Sequence, residues 1–146
     1  YFFTGSRDKL ILVWNISEVE FTVPEAYLPL ESRHTCPEAV TALDIIGLTG
    51  KWDYLMAVGL ESGQLQLFLL HPTRSDQTPA VARVVWSQPI LFNPELCHVK
   101  NKRVRRVQFE PIIQSDQQLL SSAADDGFVK IFSINIGQLQ NAVLRS

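Results

Sequence analysis

The chain is short of cysteine and methionine, and it has no long apolar run. Cys36 and Cys97 are too few and too far apart to indicate a disulfide framework, which favours a reducing compartment. No apolar run approaches the roughly 18 residues of a membrane span, and no secretory signal pattern begins the chain. We therefore expect an intracellular protein. The only methionine is Met56, so we interpret a chain that begins at Tyr1 as a piece of a longer protein.

The positive and negative charges of the chain nearly cancel. The formal net charge is −2, so any attraction to nucleic acid or to a membrane has to come from a local patch. What the sequence does have is apolar content: 46% of its 146 residues are hydrophobic and 10% are aromatic. This composition predicts a packed core and argues against disorder.

One pattern occurs three times without a gap, in residues 5–14, 59–68 and 123–132. Each copy follows a short apolar run and consists of a polar turn and an alternating run that ends in an aromatic residue. The turns R-D-K, E-S-G and D-D-G contain residues that tolerate tight turns, and Gly63 and Gly127 can supply a positive φ. The period of two and the β-branched and aromatic content predict three β-hairpins.

The last strand of the first hairpin is apolar on both faces. Ile11 and Val13 lie on one face, whereas Leu10, Leu12 and Trp14 lie on the other. Such a strand is typical of a sheet that is covered on both sides. Because we interpret the chain as truncated, we expect faces such as that of Ile11 and Val13 to meet water, and the isolated chain to be poorly stable or to self-associate.

Further strands are predicted upstream of the second and third hairpins. Residues 40–45 and 104–111 share one apolar spacing, and weaker candidates lie within residues 21–30, where prolines suit a sheet edge, and 81–87. Four strands then recur at intervals of about 54 and about 64 residues, with no helical periodicity anywhere. The fold class is therefore predicted to be all-β, a fragment of about two and a half to three four-stranded antiparallel propeller blades.

The hairpins resemble the strand-turn-strand end of a WD repeat. In this resemblance the turn position is held by Asp8, Ser62 and Asp126, so the second copy lacks the usual aspartate, and Leu10 stands where threonine is usual. His34 and His98 are candidates for the repeat's histidine. The structural repeat positions that the resemblance implies are Asp8, Trp14, Phe68, Asp126 and Phe132.

More specific stretches resemble the family of WD-repeat subunits of the Elongator complex. These are YFFTGSRDK, AVTAL, AVGLESG, VRRVQF and DDGFVKIF, in that order. The resemblance implies that residues 1–146 form the last blades of a second propeller, with repeat units at about 1–15, 16–70 and 71–135. Residues 138–145 are then either a final edge strand or a local extension.

Candidate catalytic and metal-binding groups have a structural interpretation that we favour. The turn carboxylates of Asp8, Glu61, Asp125 and Asp126 are typical of tight turns, and no enzyme motif is present, so we predict no catalytic residue. His34 with Cys36, and Cys97 with His98, do not have the ligand spacing of a zinc site. We therefore predict no metal and no cofactor.

Residues 100–106 form the main charge cluster. Strand alternation would place Arg105 with Val107 and Phe109 on one face and Arg106 with Val104 on the other, so the two arginines should point in opposite directions. The cluster can be a solvated rim paired with the turn acids, a surface for an acidic protein, or an RNA contact, although no aromatic residues interleave it. The candidate partner-binding residues are Lys100, Lys102, Arg103, Arg105, Arg106, Arg7 and Lys9.

Aromatic residues divide into two groups. Trp14, Phe68 and Phe132 end equivalent strands and should pack between blades, whereas Trp52 and Trp86 are candidate interface anchors.

The expected function is a non-catalytic scaffold, because a propeller presents loop-rich faces on a rigid frame. The Elongator resemblance implies the large scaffold subunit and the catalytic subunit as partners, at most weak contact with tRNA, no membrane and no small-molecule substrate. It also implies a role in modification of the tRNA wobble uridine, in the cytoplasm with the nucleus as a second location. The alternatives are a WD-repeat adaptor of another pathway and direct RNA binding by residues 100–106.

Overall fold

Three antiparallel sheets and one short helix make up the part of the chain that the computed structural model describes, which is residues 1–14, 30–73, 83–114 and 116–144. The first sheet contains β1 (Phe2–Gly5), β2 (Leu10–Trp14) and β3 (Leu30–Thr35), in that order. β1 and β2 form the first predicted hairpin, in register from Phe2 opposite Trp14 to Gly5 opposite Ile11.

The second sheet contains β4 (Val40–Gly47), β5 (Tyr54–Leu60), β6 (Leu65–Thr73) and β7 (Arg83–Trp86) in order, with β8 (Ile90–Leu91) also on β6. Ser87 joins the two short outer strands. Its amide donates to the Leu69 carbonyl and its hydroxyl accepts from the Leu69 amide, both at 2.9 Å. A side-chain oxygen therefore replaces one ladder acceptor where the outer strand is interrupted before Pro89.

The third sheet contains β9 (Val104–Gln114), β10 (Gln117–Ala124) and β11 (Val129–Asn135), and α1 (Ile136–Leu144) follows directly. Asn135 caps the helix by accepting a hydrogen bond from the Gln138 amide at 2.8 Å. Ile136 and Leu139 pack against the core. The prediction of no helical periodicity is therefore wrong, and residues 138–144 are helical rather than an edge strand.

The other predicted strands are present. The three hairpins are confirmed, β4 and β9 contain residues 40–45 and 104–111, and β7 lies within residues 81–87. The candidate in residues 21–30 lies outside the described residues except at Leu30, where β3 begins. Because β3 pairs with β2 and β7 pairs with β6, each of these strands completes the sheet that precedes it along the chain.

Two apolar clusters hold the three sheets together. The middle strand β5 supplies both: Met56, Val58 and Leu60 face the first sheet, whereas Leu55 and Ala57 face the third. Burial on both faces follows from the side-chain period of two.

The face of Ile11 and Val13 is also buried. Both side chains are 0% exposed, and Ile11 belongs to the cluster between the first two sheets. The expectation that this face meets water is wrong, because it is turned toward the second sheet.

Glycines at one repeat position bring neighbouring sheets into close contact. A Cβ added at Gly5 would lie 2.5 Å from Cγ1 of Val40, and one added at Gly59 would lie 2.5 Å from Cγ1 of Val104. Between the second and third sheets, the Asp44 carboxylate also accepts a hydrogen bond from the Phe109 amide at 2.7 Å. The two seams, Gly5 against Val40 and Gly59 against Val104, therefore repeat the same close approach.

Tight turns of the three hairpins share one unusual backbone position. Gly63 and Gly127 have the predicted positive φ, at 93° and 81°, and Lys9 has a φ of 70° at the equivalent place. The first turn therefore holds a lysine where the other two have glycine. Within the described residues, no helix has the length and apolar character needed to cross a membrane.

Candidate functional site

The repeated turn position carries the same hydrogen bond in all three hairpins. The side-chain oxygen of Asp8, Ser62 and Asp126 accepts from the amide two residues later, at 3.1, 3.4 and 3.0 Å. This bond closes a tight turn and explains why a small oxygen-bearing residue stands at this position. Although Ser62 has no carboxylate, its own amide donates to the Glu38 carboxylate at 3.1 Å.

Asp126 is the centre of a larger network. Its carboxylate accepts from the Val99 amide at 3.0 Å and pairs with Nδ1 of His98 at 2.9 Å, while Nε2 of His98 lies 2.8 Å from the Ser122 hydroxyl. Burial alone would raise the pKa of Asp126, but the hydrogen bonds from the Phe128 and Val99 amides and from His98 outweigh burial and lower this pKa to about 2.

The Ser122, His98 and Asp126 side chains have the connectivity of a serine-hydrolase triad, but not its accessibility. Ser122 is 2% exposed and His98 is 5% exposed, so neither is open to a substrate. A nucleophile has to reach the atom that it attacks. The network therefore ties the loop before β9 to the third hairpin, and it does not form a site for chemistry.

The hydroxyl position of this network is also part of the repeat. Thr4 occupies in the first hairpin the place that Ser122 has in the third, and its hydroxyl accepts from the Trp14 indole at 3.2 Å. The middle hairpin has Val58 there, which is buried. Sequence reasoning did not single out Ser122, although sliding the repeats against each other aligns it with Thr4.

His34 differs from His98. Its ring stacks on Trp86 with ring centroids 4.9 Å apart and meets Phe68 edge-on at 4.8 Å. Burial lowers the pKa of His34. The Trp86 indole donates to the Ser32 hydroxyl at 3.0 Å, so Trp86 joins the outer strands of the first two sheets.

The other aromatic predictions have mixed outcomes. Phe68 is fully buried between the first two sheets, and Phe132 packs on the cluster between the second and third, so inter-blade packing is confirmed for both. For Trp14 it stays a prediction. Trp52 lies in the core, which does not suit a surface anchor.

The cysteine and histidine pairs do not assemble a metal centre. No group of three His, Cys, Asp or Glu side chains suited to a metal occurs in the described part of the chain. Burial raises the pKa of Cys36 to about 11, so its metal-binding thiolate form is strongly disfavoured. His98 is already engaged by Asp126 and Ser122.

Two of the five cations within residues 100–106 are ion-paired. Arg105 and Arg103 form ion pairs with Asp125, as the interpretation of a rim paired with turn acids expects. These pairs hold the carboxyl pKa of Asp125 below its usual range, chiefly through the Arg105 hydrogen bond. Lys100 and Lys102 are exposed.

The strict alternation predicted for this strand is wrong. β9 changes register against β10 so that Ala123 pairs with Arg106 and Ala124 pairs with Val104, which leaves Arg105 as an extra residue. Both Arg105 and Arg106 are consequently exposed. Such a bulge re-aims the side chains next to it.

The remaining candidate cations are on the first hairpin. Arg7 and Lys9 are exposed in its turn, and the loop of residues 36–40 packs on that turn through bonds from the Cys36 amide to the Lys9 carbonyl and from the Val40 amide to the Ser6 carbonyl. In the same way the His98 amide bonds to the Gly63 carbonyl of the second hairpin. The hairpin turns and the loops that precede β4 and β9 therefore share one edge of the molecule.

Antiparallel sheets of three to five strands, a shared turn position and glycine-valine seams are consistent with a partial WD-repeat β-propeller. The curated relatives that the chain matches are named Elongator complex protein 2. The rat protein is 28% identical over 92% of this chain, the Arabidopsis thaliana protein is 29% identical over 90%, and the human protein is 36% identical over 56%. The resemblance to the Elongator WD-repeat subunits is confirmed, and the chain fits as a fragment of Elongator complex protein 2.

The matches cover a small part of those relatives. The chain spans 17% of the rat protein, 15% of the Arabidopsis protein and 10% of the human protein. No family model matches the chain.

Proposed function

We propose that the chain is part of a non-catalytic scaffold subunit of the Elongator complex, which supports assembly for modification of the tRNA wobble uridine. The observation that carries this proposal is the similarity to Elongator complex protein 2 over 92% of the chain. The partners are the large scaffold subunit and the catalytic subunit, and the location is the cytoplasm, with the nucleus as a second compartment.

The physical character of the fold supports a scaffold. Adjacent sheets share buried apolar clusters and glycine-valine seams, so they form a stiff frame for the loops at their edge. The side chains of Ser122, His98 and Asp126 connect the loop before β9 to the third hairpin. Exposed lysines remain at the edge, where a partner can reach them.

The test is co-purification of the tagged full-length protein from its own cells, followed by mass spectrometry. Lys100→Glu with Lys102→Glu reverses two exposed charges, and Arg33→Glu with Lys51→Glu is the matched control at two exposed cations outside the candidate set. We leave Arg103 and Arg105 unchanged because reversing them would break their ion pairs with Asp125.

Recovery of the Elongator catalytic and large scaffold subunits with the wild-type protein would support the proposal. Their loss only in the Lys100 and Lys102 variant would make these lysines part of the assembly surface. Absence of both subunits from the wild-type sample would overturn the proposal and leave a WD-repeat adaptor of another pathway.

Direct RNA contact is a second candidate function, favoured by the exposure of Lys100, Lys102 and Arg106 near one another in the chain. Binding through phosphates weakens steeply with added salt. Titration of labelled tRNA against the wild-type protein and the Lys100 and Lys102 variant, at several salt concentrations, tests it. Affinity that is unchanged in the variant would remove this candidate.

A further inference from the structure

Three large apolar side chains are exposed beside the His98 and Asp126 network. Leu96 is 57% exposed, Val99 is 55% exposed and Phe128 is 61% exposed. None of them belongs to either apolar cluster of the core. We call these three residues the apolar patch.

Hydrogen bonds bring the apolar patch together, although Phe128 is far from the other two in sequence. The amides of Val99 and Phe128 each donate to the carboxylate of Asp126 at 3.0 Å, so one side chain holds both backbone segments. The Lys130 ammonium, in β11 and two residues beyond Phe128 in the chain, donates to the Leu96 carbonyl at 3.1 Å, which ties the segment of Leu96 to the start of this strand.

The support beneath the apolar patch is rigid. Asp126 is 3% exposed at its side chain, and its partner His98 is 0% exposed. Because the loop and the hairpin are already tied together, little conformational freedom would be lost when a partner binds. Exposed apolar groups on a preorganised support are typical of recognition surfaces.

Charge around the apolar patch is positive. Residues 95–106 and 125–130 together contain six basic and three acidic side chains, within a chain of net charge −2. One of the acids is Asp126, paired with His98, and another is Asp125, paired with two arginines. The exposed Lys100 and Lys102 directly follow Val99 and favour a partner of opposite charge.

We propose that the apolar patch, with Lys100 and Lys102 at its rim, docks an acidic peptide segment that carries aliphatic or aromatic anchor side chains. The proposal rests on the proposed scaffold function, since another subunit of the complex would supply the segment. A peptide fits better than RNA because two of the three exposed side chains are aliphatic and offer no ring on which a base can stack. The anchors would bury the apolar patch while the acids meet the lysine rim.

Selection of a random dodecapeptide phage library on the purified full-length protein tests the proposal. We expect enriched peptides to combine acidic with aliphatic or aromatic residues. Fluorescence anisotropy with the enriched peptide should then show about a tenfold or greater loss of affinity for Phe128→Ser, and likewise for Lys100→Glu with Lys102→Glu. Val85→Glu is the control, because Val85 is exposed on the outer strand β7 and should leave affinity unchanged.

Phe128→Ser adds no charge and removes an exposed ring, so its melting temperature should equal that of the wild-type protein. The proposal is overturned if no peptide is enriched, if the enriched peptides are basic, or if Phe128→Ser binds as well as the wild type. It is also overturned if labelled tRNA binds and loses affinity in Phe128→Ser while no acidic peptide does.

The two proposals fail separately. Recovery of the Elongator subunits by both wild-type and Phe128→Ser proteins, without any peptide selected, would reject the apolar patch alone. A selected acidic peptide together with absence of those subunits from the wild-type sample would reject the Elongator assignment and keep the apolar patch.

Discussion

The seam between Gly5 and Val40 gives a quantitative test of how the sheets pack. Gly5→Ala would place a methyl group 2.5 Å from Cγ1 of Val40, far inside contact distance. Forcing extra atoms into packed space costs about 1–3 kcal/mol, so we expect the free energy of unfolding to fall by about 2 kcal/mol. Val40→Ala removes buried methyl groups and should also cost about 2 kcal/mol.

The double variant Gly5→Ala with Val40→Ala should lose less free energy of unfolding than the two single variants added together. After Val40→Ala, the new methyl at position 5 would meet the Val40 Cβ position at 3.3 Å, which a small shift relieves. We expect the two substitutions to couple by about 1–2 kcal/mol. The second seam should couple less, because a Cβ at Gly59 lies 2.7 Å from Cβ of Val104, which an alanine there retains.

Urea unfolding of the chain and its variants, followed by tryptophan fluorescence, measures these differences. As a control, the slope of the unfolding free energy against urea concentration should be the same in all variants, which shows that compactness is unchanged. Losses at Gly5 and Val40 that add to within about 0.5 kcal/mol would refute the seam. Equal coupling at both seams would refute the distance argument.

Three further predictions concern the turns and the histidines. Gly127→Ala should cost about 1 kcal/mol for its positive φ, and Gly63→Ala about 2–4 kcal/mol because its Cβ would also lie 2.7 Å from a carbonyl oxygen; equal losses of melting temperature would contradict this. Asp126→Ala should lower the free energy of unfolding by about 3 kcal/mol, since it leaves Nδ1 of the buried His98 without its partner, whereas Asp8→Ala, at an exposed turn, should cost less than about 1 kcal/mol in the same urea assay. Because burial lowers the pKa of His34 from 6.5, the unfolded chain takes up the proton more readily and stability should fall as the pH drops below about 6.5; a His34→Phe variant with an identical pH profile would argue against this.

The hairpins could be predicted because their signals are local. Alternating apolar residues set the strands, and glycine at positions 63 and 127 marked the turns that need a positive φ. α1 also has a local signal in the sequence, because Asn135 stands three residues before Gln138, as in a helix capping pattern.

Other features depend on pairing partners that the sequence does not display. The bulge at Arg105 arises from the register between β9 and β10, and strict alternation could not anticipate it. Burial of Ile11 depends on which neighbour its face meets. His98 and Asp126 are both candidate repeat positions in the sequence, but β9 and β10 separate them, so only the fold reveals that they touch.

Pairing of β7 with β6 makes the second sheet a joint between successive parts of the chain. A cut between Thr73 and Arg83 would separate the backbone after β6, yet the piece that begins at Arg83 would still supply the outer strand of the sheet left behind. The two pieces would also remain in contact at the seam of Gly59 with Val104 and through the hydrogen bond from the Phe109 amide to the Asp44 carboxylate. The two pieces would therefore still share a sheet, a packing seam and a hydrogen bond, and they form a suitable pair for fragment complementation.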